Sequence, residues 1–337
     1  MKVKKIGVIT ALLLTLNLPV LSRPQNAAAE DVTVQLDWIF GGKHVAFFVA
    51  RDRGLFKEKA LNVKLLEGKG SQQAATRVDA KQADFGYGDL VTAVEVISKG
   101  GANRAIAVGQ VFQGGGYIFL EESGIKTPKD LEGKNFGTTP GDFGLILLPA
   151  LGAAAGFDHT KVVQKNMDVA VRTPALFERK IDFLAGARGS SIPRMAIIGK
   201  REGKQINYLL FKDMGLNTYA HVLQVREDRI KSHPDMIQRF TTALMDAWTW
   251  SVKNPDQALD IFMKANPEKD REISLAEMKD GLNDVVDPET KQFGLGYMKE
   301  GMMKQTVEIA NKYLNLSPAI NYKTIYTNQF IKKPAGM

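Results

Sequence analysis

Two strand-to-helix turns stand close together in this chain, between Gly54 and Leu90, and that arrangement restricts the fold more than any other feature. Asn62 to Leu66 alternates polar and apolar residues, with Val63 and Leu65 on one face, as a half-buried strand should. Gly68-Lys69-Gly70 ends it, and Ser71 is a good N-cap for a helix carrying Ala74, Ala75 and Val78. Ala83-Asp84-Phe85 then starts a second strand, and Gly86-Tyr87-Gly88-Asp89 opens a second helix. A loop at the carboxyl end of a strand, feeding a helix amino terminus, is where open α/β sheets bind small ligands. Free N–H groups and the helix dipole favour anions and polar atoms there. The stretch supplies no activated nucleophile, metal cluster or nucleotide motif, so it reads as a surface for holding a small molecule.

The amino terminus indicates where that molecule is held. Met1-Lys2-Val3-Lys4-Lys5 is basic, Ile6 to Val20 is mostly apolar, and Ala27-Ala28-Ala29 offers an A-x-A site before Glu30. These are the three parts of a secretory signal peptide over residues 1–29. The apolar run, interrupted by Asn17 and Pro19, is shorter than the roughly 20 residues a membrane span needs. The chain has no cysteine, so the leader lacks the residue that would carry a lipid anchor. A chain this long can be stabilised by its core without disulfides. The expectation is a soluble periplasmic monomer. Loss of the leader removes Lys2, Lys4, Lys5 and Arg23 and no acid, taking the formal net charge from +8 to +4. That excess, with no stripe of Lys or Arg interleaved with aromatics, does not point to nucleic acid.

Length alone suggests one or two domains at about 150 residues each, and the pattern favours two. Val32 to Leu36 reads as a first strand and His44 to Arg53 as a helix, with Gly54 at its C-terminal cap. Ala105 to Val111 is a strand, followed by Gln113-Gly114-Gly115-Gly116 and the strand Tyr117 to Leu120. Because no helix follows these glycines, they fail as a dinucleotide loop and read as a crossover between lobes. A second α/β unit contains Asn135 to Thr138, the loop Thr139-Pro140-Gly141-Asp142-Phe143, a helix to Gly156 and the strand Val162 to Met167. Thr173-Pro174 then starts a helix, and Ile181 to Ala185 is a strand. Pro149 is awkward inside its helix. Asp182-Phe183 after Glu178-Arg179-Lys180 echoes Asp84-Phe85 after Lys81-Gln82. Tyr219 to Val225 is the strand of return, and the remainder is mainly helical, broken at Asn254-Pro255 and Asn266-Pro267. The expected lobes are residues 30–113 with 222–337, and residues 114–221.

Behind the leader, Leu36-Asp37-Trp38 with His44 a few residues on, Gly54-Leu55-Phe56, Gly70-Ser71 and Ala83-Asp84-Phe85-Gly86 carry a resemblance. The chain resembles the thiamine-precursor-binding group of periplasmic solute-binding proteins, related to the alkanesulfonate, taurine and nitrate receptors of ABC importers. The order of elements matches over nearly the whole mature chain, and residues 36–90 match at motif level. The resemblance implies an α/β fold of the type II periplasmic-binding-protein kind: two lobes, two crossovers, and a ligand cleft that closes. It implies as partners a small-molecule ligand and an ABC importer permease with its cytoplasmic ATPase. Phe40-Gly41 stands where pyrimidine-binding members carry Pro-Asn, and Ala46 where they carry Gly, departures that bear on the ligand and not on the receptor class. An alkanesulfonate- or nitrate-type anion receptor, a thiamine-pyrimidine-precursor receptor and a ligand-sensing subunit for a membrane kinase stay open as alternatives. Yeast pyrimidine synthases share the fold but carry a cysteine-rich motif. This chain has no cysteine, no Gly-x-Ser-x-Gly and no His-Glu-x-x-His, so neither an enzyme nor a cofactor is expected. His159, His221 and His233 lack metal-ligand spacing.

Each candidate contact has a plainer rival. Trp38, after a strand and before Gly41-Gly42, can stack on a ligand or pack in the core. Asp37 and His44 can reach ligand, or serve as a cap and a surface residue. Ser71, Gln72, Gly88, Asp89, Gly141, Asp142 and Phe143 stand at strand ends where loops line a cleft, although Asp is also a plain N-cap. Arg188 can grip a carboxylate or sulfonate bidentately, or be a solvated charge. Trp248 and Trp250, two apart on a helix, cannot share a face.

Overall fold

The computed structural model describes residues 29–109, 115–283 and 285–333, so nearly all of the expected leader lies outside the described residues. Among those described, no helix is long and apolar enough to cross a membrane. Ten strands are described: β1 (Glu30–Leu36), β2 (Leu61–Leu66), β3 (Phe85–Asp89), β4 (Asn103–Val108), β5 (Gly115–Leu120), β6 (Asn135–Thr138), β7 (Val163–Asn166), β8 (Phe183–Ala187), β9 (Ile206–Leu210) and β10 (His221–Arg226). They form two sheets, ordered β2-β1-β3-β10-β4 and β7-β6-β8-β5-β9. In each, three strands are parallel, which requires a crossover between them. The helices Val45–Asp52 and Ser71–Asp79 lie in those crossovers in the first sheet, and Leu148–Ala155 and Val169–Phe177 in the second. β5 enters the second sheet antiparallel between β8 and β9. β10 returns to the first, antiparallel between β3 and β4. This is the two-lobed α/β architecture expected. Of the first expected crossover, Gln113 and Gly114 lie outside the described residues, while Gly115 to Tyr117 already belong to β5. The return link runs over residues 211–220, and His221 to Gln224 belong to β10.

The first sheet is covered by the helix Pro234–Lys253, whose Ile237, Phe240, Leu244 and Ala247 are all buried. The Phe240 ring stacks on Phe85 at 3.9 Å and on Phe56 at 4.9 Å. Trp248 is core, 2% exposed, while Trp250 lies under the Arg53 guanidinium at 4.0 Å. A second cluster joins Leu90 and Val94, beside the first sheet, to Tyr117 and Phe183 in the second and to Met303 and Val307. The helix Glu300–Tyr313 therefore packs against both halves, although its position in the chain alone would assign it to the first.

Four local expectations are corrected. Gly70, not Ser71, is the N-cap of Ser71–Asp79; Ser71 is the first helical residue. Gly86 to Asp89 complete β3, and the next helix starts at Leu90 with the Asp89 carboxylate accepting from the Thr92 N–H at 3.2 Å. The helix expected to start at Thr173-Pro174 starts at Val169, because the Asp168 side chain accepts from the Ala170 N–H at 3.0 Å. Pro149 is accommodated by a break: one helix ends at Ile146, and Pro149 lies in the first turn of Leu148–Ala155.

The sequence echo is a structural repeat. The helices Ser71–Asp79 and Val169–Phe177, and the strands β3 and β8, have equal lengths at a constant spacing of 98 residues. Lys81 and Arg179 both take positive φ, 60° and 58°. Asp84 accepts from the Thr33 N–H at 2.8 Å, and Asp182 from the Asn135 N–H at 2.7 Å. Phe85 and Phe183 are both fully buried.

Candidate functional site

The carboxyl ends of β1 and β3 face β8 and the loop after β6 across a narrow cleft. The Gln72 N–H donates to the Gly141 carbonyl at 3.4 Å. A Cβ on Gly70 would lie 2.5 Å from that same oxygen, so only glycine permits the halves to approach so closely here. Two pockets open between the halves and share Trp38, Ala185 and Ser191. One, of about 180 Å3, is lined also by Arg172, Thr173, Leu184, Arg194 and Met195. The other, of about 20 Å3, is lined by Asp37, Lys43, Gly70, Ser71, Asp142, Phe143 and Ser190.

A buried charge cluster forms the floor on the first-sheet side. Asp37, just past β1, is 4% exposed and accepts from Lys43 Nζ at 2.5 Å, His44 Nε2 at 2.9 Å and His221 Nε2 at 2.8 Å. Burial alone would raise its carboxyl, but the Lys43 charge and the two imidazoles outweigh it and hold Asp37 well below the usual carboxylate range. His44 is fully buried. The Gly41 N–H donates to its Nδ1 at 3.3 Å, which leaves the proton on Nε2 toward Asp37. Burial pushes His44 down to about 4 against the pull of Asp37. His44 lines neither pocket; it orients Asp37.

On the second-sheet side, Asp142 caps the helix Phe143–Ile146 through Oδ1, which accepts from the Gly144 N–H at 2.8 Å. Its Oδ2 accepts from Arg172 Nη1 at 2.6 Å, and Arg172 Nη2 donates to the Ala185 carbonyl at 2.9 Å. Arg172 is 3% exposed, and its guanidinium carbon lies 5.5 Å from the Trp38 ring centroid across the cleft. Two buried polar atoms of pocket-lining residues have no partner: Ser71 Oγ and Arg172 Nε. Gly88 packs beneath Ser71, where a Cβ would lie 3.2 Å from the Ser71 Cβ.

Arg188 does not line either pocket. Its Nε and Nη2 donate to Asp280 Oδ1 at 3.1 and 2.8 Å, and the Gly189 N–H donates to Asp280 Oδ2 at 2.7 Å. It belongs to a seam between the helix Arg271–Asn283, which packs on the first core through Met278 and Leu282, and the second-sheet helix Ser191–Arg201. Arg194 pairs with buried Glu277 at 2.7 Å and Arg201 with Asp270 at 2.5 Å along the same seam. Glu277 also accepts from the Gly42 N–H at 2.8 Å, tying the seam to the segment after Trp38. Burial raises the Glu277 carboxyl, with Arg194 and Gly42 offsetting only part of it.

The structure thus brings Asp37, Trp38, Ser71, Asp142 and Phe143 into the pocket walls, while Gln72 and Gly141 line neither pocket and bond each other across the gap. Gly88 and Asp89 stand behind Ser71, and His44 and Arg188 stand outside. Lys43, Arg172, Arg194 and Glu277 were not singled out from the sequence. Arg172 carried a signal, since it shares one helical face with Ala175 and Leu176, where a charged residue has no plain packing role. Glu277, far along the chain, carried none.

The profile of the family described as NMT1/THI5 like matches residues 42–258, more than half of the chain. A riboflavin-binding protein of Chloroflexus aurantiacus is 25% identical over 63% of this chain, and the alignment spans 59% of that relative's length. A formylaminopyrimidine-binding protein of Halalkalibacterium halodurans is 24% identical over 79% of each chain. A Legionella pneumophila relative, named a 4-amino-5-hydroxymethyl-2-methylpyrimidine phosphate synthase, is 24% identical over 70% of this chain and 74% of its own. Among solved structures, the alkanesulfonate-binding protein of Xanthomonas axonopodis bound to MOPS superposes with a TM-score of 0.69 at 12% identity. That match covers 89% of this chain and 97% of the other.

Proposed function

The chain belongs to the NMT1/THI5-like family, and from that premise we propose that it is a solute-binding receptor of an ABC importer. It is exported with a cleaved leader over residues 1–29 and acts in the periplasm as a monomer. Its lobes, residues 30–113 with 222–337 and residues 114–221, close on a small planar or aromatic solute bearing a polar or anionic group. The observation that carries this reading is the cleft between two sheets, with Trp38 facing Arg172 and two buried polar atoms left unpartnered. Relatives named for binding riboflavin and a formylaminopyrimidine support a flat ligand. Binding is favoured over catalysis because Ser71 Oγ, the hydroxyl without a partner in the cleft, has no base hydrogen-bonded to it.

Mass spectrometry of small molecules released from the purified protein identifies the solute, and calorimetry with that solute tests the site. Trp38→Ala is expected to weaken binding by about 1–3 kcal/mol, the range for a well-buried aromatic contact, while the protein stays folded. Unchanged affinity in a folded variant would remove the stacking site. Turnover of the solute would replace the receptor by an enzyme.

A further inference from the structure

The two halves are joined in two places by different forces. Around the helix Glu300–Tyr313, apolar side chains of both halves share one cluster, Leu90 and Val94 with Tyr117 and Phe183. Such a joint cannot part without exposing its apolar surface to water. The seam between the helices Arg271–Asn283 and Ser191–Arg201 is built otherwise. Met278 and Leu282 of the first helix belong to the first core, whereas Ile192 and Met195 of the second belong to a cluster confined to the second half. What crosses this seam is charge. Arg188, Arg194 and Arg201 all belong to the second half, and each finds its carboxylates on residues 270–280 of the first. Arg188 meets Asp280 at 2.8 Å, Arg194 meets Glu277 at 2.7 Å, and Arg201 meets Asp270 and Glu272, each at 2.5 Å. Among the described residues, the one other ion pair between the halves is exposed Lys69 with Asp168 at 3.4 Å.

The helix Arg271–Asn283 is fixed to the first half by more than its core residues. A Cβ on Gly42 would lie 2.3 Å from the Ser274 carbonyl oxygen, and the Gly42 N–H donates to Glu277 at 2.8 Å. A Cβ on Gly281 would lie 3.2 Å from Lys43 Cα and 3.5 Å from Gly189 Cα, so the helix touches both halves there. If the halves part, this helix stays with the first and the three arginines withdraw with the second. Exposed ion pairs contribute little one at a time. The middle pair is different, because Glu277 is buried and the loss of Arg194 would take away the charge it is paired with. We propose that residues 270–280 are an electrostatic clasp that holds the cleft shut in the ligand-free protein, so that charge on this segment sets how far the halves part.

The chain has no cysteine, so Lys64→Cys on β2 and Lys165→Cys on β7, both exposed positions, place one spin label on each half. In each sheet these edge strands lie at the end away from β4 and β9, the strands next to the links between halves, so their separation is sensitive to opening. The distance is read by pulsed EPR on mature protein that mass spectrometry shows to carry no small molecule. One narrow distance is expected at about 10 mM salt. It is expected to lengthen at about 1 M, where the screening length has fallen from ~30 Å to ~3 Å. Arg188→Gln with Arg201→Gln, at partly exposed sites, is expected to lengthen it at low salt. Adding Glu277→Gln should lengthen it further and remove the salt response, with cooperative thermal melts throughout. Lysine at both arginine positions keeps the charge and is expected to keep the wild-type distance. A folded triple variant with the wild-type distance would overturn the clasp. So would a wild-type protein whose distance at low salt already equals that of the triple variant, or a lysine variant that opens as far as the glutamine one. If the triple variant melts without cooperativity, the double variant decides by the same distances. No arm contains ligand, so each of these results leaves the receptor reading standing.

Discussion

Residues 71–89 and 169–187 are the same helix-turn-strand unit used twice, and two of their differences lie on the helix that borders the cleft. Both close the helix with a residue at positive φ, Lys81 or Arg179, and both tether the following Asp to a backbone N–H of the neighbouring strand. Both send a phenylalanine into the core, where Phe85 stacks on Phe240 and Phe183 on Phe136. Yet the first unit offers Ser71 and Ala74 where the second offers Val169 and Arg172. At the first position Ser71 and Val169 each line a pocket; at the second Ala74 is fully buried, whereas Arg172 lines the pocket of about 180 Å3. The repeat supplies the frame, and the differences between its copies change which side chains reach the pocket walls.

The halves also hold their buried charge differently, and the largest expected effect lies there. Asp37→Ala leaves Lys43 buried without a carboxylate and is expected to cost about 3–5 kcal/mol in urea unfolding. Removing Arg172 and Asp142 charges together should cost much less, since no lone charge remains. Equal losses would mean that the second-side pair is as structural as the first. A smaller effect comes from pH. Because His44 is held near 4 chiefly by burial, below its ordinary 6.5, the unfolded chain takes up a proton between those values that the folded chain refuses. Stability is therefore complete above about pH 6.5 and falls toward pH 4 by up to about 3 kcal/mol. Asp37, depressed further, withdraws its own contribution only at lower pH. Trp38, Trp248 and Trp250 all lie with the first sheet, so tryptophan emission during urea melts at pH 7 and 4.5 reports that half. Replacing His44 with Gln should flatten the difference, and a dependence that survives would place the titrating group elsewhere.

The smallest effect is expected where the halves meet. Asp280→Asn weakens the partner of Arg188 and Gly189 at a partly exposed site, where an ion pair contributes at most about 1 kcal/mol. Stability should hardly change. The radius of gyration of the wild-type protein should rise with ionic strength more than that of the variant, because salt screens the pairs along the seam. Identical salt responses would show that these pairs do not hold the two halves together.

Much of the frame was legible because it rests on local signals. Alternation marked β2, the Asp-Phe echo marked β3 and β8, and Gly54 and Gly156 marked helix ends. Legibility failed where two local signals competed. Thr173-Pro174 looked like a helix start, but Asp168 captures the Ala170 N–H five residues earlier, and the proline is carried inside the helix. That error moved Arg172 off the helix and out of consideration. Ser71 looked like a cap, but Gly70 takes the cap position and leaves the serine hydroxyl free in the cleft.

The sequence by itself determined the two-lobed α/β plan and the strand ends at which the pockets open, because periodicity, caps and turns act over a few residues. It also determined that Trp38, Ser71 and Asp142 stand at those ends. Only the tertiary structure decided which charges face which. Asp37 meets His221 from 184 residues away, Arg188 turns to Asp280 instead of the cleft, and Glu277 holds both Gly42 and Arg194. Those choices depend on distances across packed halves, and an ion pair formed through space leaves no mark on either of its sequence neighbourhoods.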